Sequence, residues 1–156
     1  MRVMKKTLLP LLLLVSLLLT ACGAQPAGRE EAPWQTAYRQ TGEYLLSQDA
    51  PAAGSVGGEW TVVGLRAAGL LSRETAAVYY ESAVTYAAQA DGDRLNPNKS
   101  TENARTILGV TAAGHSAADV DGVDLTAGLG DMEYLRRQGV NGPIWALIAL
   151  DSGAYP

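Results

Sequence analysis

Between Leu8 and Leu19 only Pro10 and Ser16 break a run of leucine and valine. From Trp34 onward the apolar positions thin out and recur at helical spacing, and no stretch shows the period-two alternation of a strand. Three blocks are apolar nearly all round. Trp60-Thr61-Val62-Val63-Gly64-Leu65 is echoed by Arg105-Thr106-Ile107-Leu108-Gly109-Val110 and again by Trp145-Ala146-Leu147-Ile148-Ala149-Leu150. The small residue at the fifth place falls at Gly64, Gly109 and Ala149, at spacings of 45 and 40 (109 − 64 and 149 − 109). A period of that length is one helical hairpin of a repeat architecture.

Each block predicts a buried helix, with its small residue letting a neighbouring backbone come close. The first two copies run on to Ala-Ala-Gly, ending at Gly69 and Gly114, while the third reaches Gly153 one place early. Glycine there is an expected helix stop, because it accepts the left-handed conformation. Trp34 to Gln48, Arg73 to Gln89 and Leu125 to Gln138 mix polar with apolar residues, as helices with one solvated face do. Ser72 and Ser100 stand where they can cap the helices that follow. Asn141-Gly142-Pro143 opens the third buried helix, proline being tolerated in a first turn. Loops are expected over Asp49 to Gly58 and Asp91 to Lys99. The pattern is all-α, in three outer–inner pairs.

The apolar run at the start is different in kind. It is 12 residues long, counting Leu8 to Leu19, within the roughly 7–15 of a secretory core and short of the ~20 that span a bilayer. Arg2, Lys5 and Lys6 precede it and Leu19-Thr20-Ala21-Cys22 closes it. That ending resembles the lipobox of bacterial lipoproteins, with small residues between the leucine and the thiol that takes the lipid. The expected organisation is a signal peptide over 1–21, lipidated Cys22 with a flexible tether over 22–33, and a helical domain over 34–156. A diacylated cysteine carries the two chains that stable anchoring needs. The implied location is the extracytoplasmic face of the cell membrane. An ordinary signal peptide with an incidental cysteine and an uncleaved membrane anchor are the alternatives. Cys22-Gly23-Ala24-Gln25 also has the look of a thioester motif, but such a cysteine lies inside a folded domain and not at the head of a mature chain.

Without those 21 residues, 135 of the 156 remain, enough for one core. Losing Arg2, Lys5 and Lys6 leaves 9 basic residues against 16 acidic, a net charge of −7. Nucleic acid is therefore not an expected partner. With Cys22 the sole cysteine, no disulfide within the chain holds the domain.

The three inner blocks, with Gly57-Gly58-Glu59-Trp60 before the first, Lys99-Ser100-Thr101-Glu102-Asn103-Ala104 before the second and Gln138-Gly139-Val140-Asn141-Gly142-Pro143-Ile144 before the third, resemble the α/α toroid of terpenoid cyclases and protein prenyltransferase β subunits. The nearest likeness is to the extracellular, cobalamin-carrier-like members. The resemblance implies an α/α toroid cut short, with about three hairpins where the family closes five to seven. It leaves Ile144, Trp145, Ile148 and Tyr155 without cover, and so implies truncation, or a second chain or copy completing the ring.

The chemistry such a family performs finds few of its groups here. Asp119-Val120-Asp121-Gly122-Val123-Asp124 comes nearest to a cyclase acid cluster, but glycine stands in place of its last aspartate, and a solvated turn between two helices is the expected reading. An EF-hand wants glycine sixth, and here it is fourth. A prenyltransferase-type zinc site needs cysteine and histidine, whereas the only thiol is Cys22 and the only histidine is His115, which is read as exposed in a loop. Ser116 follows His115 directly and no Gly-x-Ser-x-Gly elbow occurs. Asn98-Lys99-Ser100 is a glycosylation sequon of little weight in an exported bacterial chain. No catalytic residue, metal or cofactor is assigned.

In that family ligands lie among the inner-helix ends. The matching positions are Trp60, Asn103, Asn141 and Trp145, where aromatic faces beside amides suit a ring-bearing or sugar-like ligand. Core tryptophans and capping asparagines are the alternative. Tyr79, Tyr80 and Tyr86 are expected to pack the outer layer. The expected function is a membrane-anchored, non-catalytic module for a cobalamin-like or carbohydrate ligand. The alternatives are an isoprenoid-processing enzyme and a truncated or split toroid with a structural role.

Overall fold

The computed structural model describes residues 32–156. The expected signal peptide, Cys22 and the part of the expected tether up to residue 31 lie outside them. The described residues fall into two units, one ending at Thr36 and one from Ala37 to Pro156. In the first, Ala32 N donates to Gln35 Oε1 at 2.8 Å, closing the opening turn of α1 (Pro33–Leu46).

The second unit holds the rest of α1, then α2 (Gly58–Ala67), α3 (Arg73–Ala87), α4 (Ser100–Ala112), a 3-10 turn (Ala127–Gly130), α5 (Met132–Arg136) and α6 (Asn141–Ser152). The described chain is all-α. Its only strand-like pairs are the isolated bridges Asp91–Arg94 and Val120–Val123, each closing a tight turn. In the second turn Asp121 and Gly122 both take positive φ, 52° and 88°, and Asp119 Oδ1 accepts from Gly122 N at 2.9 Å. The aspartate-rich stretch is a turn.

The three echoed segments form α2, α4 and α6, and they pack side by side in chain order with α4 in the middle. Val62, Ile107, Val110, Ala146 and Ala149 bury themselves in the shared core. The tight-approach expectation holds at Gly109, where a Cβ would fall onto the hydroxyl of Tyr79 from α3. It does not hold at Gly64, which faces open space.

The repeat also shows in how its helices end. Leu70 N donates to Leu65 O at 2.9 Å, His115 N to Val110 O at 3.1 Å and Tyr155 N to Leu150 O at 2.9 Å. These are the same two places in each copy, one and six residues on from Gly64, Gly109 and Ala149. Such six-to-one bonds need a left-handed residue just before the donor. Gly69 and Gly114 supply it, with φ of 70° and 91°. In the third copy the expected stop, Gly153, is not left-handed; Ala154 takes the position instead, at φ 51°. The register is kept and an alanine bears the strain.

Two further expectations need correction. The outer helix read over Leu125 to Gln138 is broken into the 3-10 turn and the five-residue α5. Gly128 and Gly130 weaken it, and Asp131 ends it by turning its carboxylate onto Glu133 N and Tyr134 N at 2.8 and 3.2 Å. Those bonds, with Arg94, hold the Asp131 carboxyl below its ordinary pKa. Ser72 does cap α3, accepting from Thr75 N at 3.0 Å. Ser100, however, lies inside α4 and caps nothing. The bare N-terminus of α4 is served by Gln138, whose Oε1 accepts from Thr101 N at 2.9 Å.

On α6, Ile144, Leu147 and Ile148 are exposed as a helix without a neighbour would be. Tyr155 is not. Its hydroxyl pairs with Thr111 Oγ1 and accepts from Ala117 N, both at 2.9 Å, and its ring packs on the core. Trp145 is likewise half-covered.

Candidate functional site

At the N-terminal ends of the three inner helices lies a cleft of about 330 Å³ lined by Trp60, Thr101, Arg105, Gln138, Asn141 and Trp145. Trp60 comes from the first turn of α2 and Trp145 from the second turn of α6. Their rings meet across α4, with centroids 5.3 Å apart and planes inclined by 55°. Arg105 lines the same cleft from α4. Three of the four residues singled out from sequence thus come together.

Asn103 does not join them. It points into the opposite side of α4, fully buried, and is held from every direction. Its Oδ1 accepts from Leu95 N at 2.9 Å, and its Nδ2 donates to Asp93 O and, at 3.0 Å, to Leu125 O. Asn103 ties the 91–96 loop and the 120s loop to α4, which is a structural role. Tyr134, also buried, stands beside it and donates to Asn96 O at 2.6 Å. Burial pushes the Tyr134 phenol up to about 12, against the pull of Arg94, whose guanidinium lies 4.5 Å over the ring.

Arg105, Thr101 and Gln138 were not singled out from sequence. Arg105 carried a signal all the same: it occupies in the second copy the first place that Trp60 and Trp145 occupy in the others. The first places of all three copies converge on this cleft. Thr101 and Gln138 bond to each other, Gln138 Nε2 donating to Thr101 Oγ1 at 3.0 Å, and so shape the rim.

Behind Arg105 stand two carboxylates. Glu59, next to Trp60 on α2, is completely buried; its Oε1 accepts from Gly54 N at 2.7 Å and its Oε2 lies 3.2 Å from Arg105 Nε. Arg105 Nη2 donates to Glu102 Oε2 at 2.8 Å. Tyr86 reaches the same Glu102 oxygen at 3.5 Å, and burial with the nearby Glu102 raises its phenol pKa. Deeper in, the Tyr79 hydroxyl is buried without a hydrogen bond, and burial, with Glu59 adding to it, lifts its pKa well above the ordinary value. The guanidinium is thus fixed from behind by groups on two helices.

The remaining candidate chemistry lies elsewhere. His115 is exposed and stacks flat on Tyr80, at 3.6 Å between centroids, beside a separate cleft that includes Arg66 and Arg73. Asp124 accepts from Thr126 N, Thr126 Oγ1 and Ala127 N, so its carboxylate opens the 3-10 turn. Among the described residues no group of three or more His, Cys, Asp or Glu side chains is placed to hold a metal ion. Nor is any described helix long and apolar enough to cross a membrane. No family model, characterised protein or solved structure matches the chain.

Proposed function

We propose that this chain is an exported lipoprotein, anchored through Cys22 on the extracytoplasmic face of the cell membrane, whose helical domain binds a ligand and performs no catalysis. The observation that carries the binding reading is the convergence of Trp60, Arg105 and Trp145, the first places of three repeats, on one cleft. Two indole faces beside an amide and a guanidinium offer apolar area and directional hydrogen bonds together, the combination that small-ligand sites use. The resemblance to the toroid family adds cobalamin-like compounds to the ring-bearing candidates, and carbohydrate suits the same surfaces.

The test is titration of the full mature lipoprotein, held in detergent, with cobalamin and a panel of oligosaccharides. Tryptophan fluorescence and thermal unfolding are read together. A ligand that binds only the native state raises Tm by mass action. Binding that Trp145→Ala abolishes while the fold persists supports the reading; no response from any probe removes it.

Pairing with a second copy or chain is a second reading, favoured by Ile144, Leu147 and Ile148 lying exposed along α6. Light scattering on the same sample, against Leu147→Glu, tests it: a mass that stays monomeric at all concentrations and shows no bound chain counts against it.

A further inference from the structure

We infer that the cleft selects an uncharged, polyhydroxylated ring, a neutral sugar, and turns acidic ligands away; the inference rests on the binding reading above. Arg105 is the only charged side chain lining the cleft, and taken alone it would advertise an anion site. Its surroundings cancel that. Glu59 Oε2 at 3.2 Å and Glu102 Oε2 at 2.8 Å place two formal negative charges against its one positive, so the triad carries −1. Glu59 is wholly buried and Glu102 mostly so, which keeps solvent from screening either of them. A carboxylate or phosphate entering the cleft would meet a guanidinium whose charge is already offset, and a net negative field.

What the cleft does hold in reserve is neutral. The Asn141 carboxamide, exposed at the rim, makes no hydrogen bond within the described residues, so it keeps two donors and an acceptor. Thr101 Oγ1 accepts from Gln138 and keeps its own proton to donate. Arg105 Nη1 makes neither of the two carboxylate contacts and can donate without a change of charge balance. Vicinal hydroxyls, each both donor and acceptor, match such a set.

The tryptophan geometry narrows the class further. A flat aromatic ligand held between two rings needs them roughly parallel and about 7 Å apart, two van der Waals layers. Trp60 and Trp145 are 5.3 Å apart and inclined by 55°, so they form a corner and not a slot. A corner accepts a puckered ring that lays its C–H face on one indole and its edge on the other. The volume, about 330 Å³, sits at the low end of the roughly 300–1,000 Å³ of small-molecule sites and fits a short sugar segment.

The experiment uses the full mature lipoprotein and four probes of matched length: cellotetraose, maltotetraose, tetra-N-acetylchitotetraose and tetragalacturonate. Calorimetry and tryptophan fluorescence report binding, and cobalamin is run beside them. At least one neutral probe is expected to bind, about tenfold or more tighter than tetragalacturonate. Glu102→Gln, which takes one negative charge from behind Arg105, is expected to narrow that ratio by about tenfold, and Asn141→Ala to weaken the neutral probe. Tetragalacturonate binding as well as the neutral probes, or a ratio that Glu102→Gln leaves in place, overturns the inference and leaves the binding module standing. So does cobalamin binding with no response to any neutral sugar. Silence from every probe, cobalamin included, overturns both.

Discussion

The two sides of α4 use the same kinds of residue to opposite ends. On one side Asn103 is buried and three backbone groups satisfy its amide; on the other Asn141 of α6 leaves its amide open at the rim of a cleft. Tyr134 beside Asn103 is fully covered and hydrogen-bonded, while Trp60 and Trp145 meet at an open corner. A polar side chain whose bonds are complete holds the fold and has nothing left for a ligand. One whose bonds are open at a concave surface contributes little to stability and remains available. Bond completeness, more than residue type, separates structure from site here.

That contrast can be broken or sharpened by substitution. Asn103→Ala should have the largest effect: it leaves Leu95 N, Asp93 O and Leu125 O without their partner, and the loss is about 3 kcal/mol or more in urea unfolding. Tyr134→Phe should cost about 1 kcal/mol by removing the bond to Asn96 O. It should also flatten the alkaline limb of stability. The folded phenol is raised to about 12, so its contribution is full below the ordinary value near 10 and is lost as pH rises towards 12. Tyr79, raised by its own burial, should leave part of that limb in the variant. Ala154→Gly should stabilise by about 0.5–1 kcal/mol, since the left-handed position then suits its residue. Asn141→Ala should be the quietest, within about 0.5 kcal/mol by the same unfolding measurement. A large loss there would mean that this amide belongs to the fold after all.

Much of the helical layout was legible because it rests on local signals. The three apolar blocks, the stops at Gly69 and Gly114 and the Ser72 cap all depend on residues within a turn or two of each other. The failures share a cause as well. Ser100 has the right type and place for a cap, but Gln138, 37 residues downstream of Thr101, takes that role. Leu125 to Gln138 has a helical pattern of apolar residues, yet Asp131 gains more by capping its own turn and pairing with Arg94 at 2.7 Å. Of the site, the tryptophans were legible through the repeat. Asn103 was misplaced because helix position alone does not say which way a side chain faces. Arg105 shares the repeat place of the two tryptophans but not their chemistry, so its part in the cleft shows only once the three helices are side by side. Glu59 and Glu102 became meaningful only once α2 and α4 were seen to lie together.

The supports of α4 also bear on how the chain comes into being. Gln138 serves Thr101, Tyr134 serves Asn96 at the mouth of the helix, and Tyr155 clasps Thr111 at its far end; these partners lie 37, 38 and 44 residues further along. A chain exported N-terminus first, as proposed above, delivers α4 before anything that completes it. Until then its first turn lacks its cap and its last turn lacks its clasp. The central helix therefore depends on the segments that follow it, and its own repeat does not complete it.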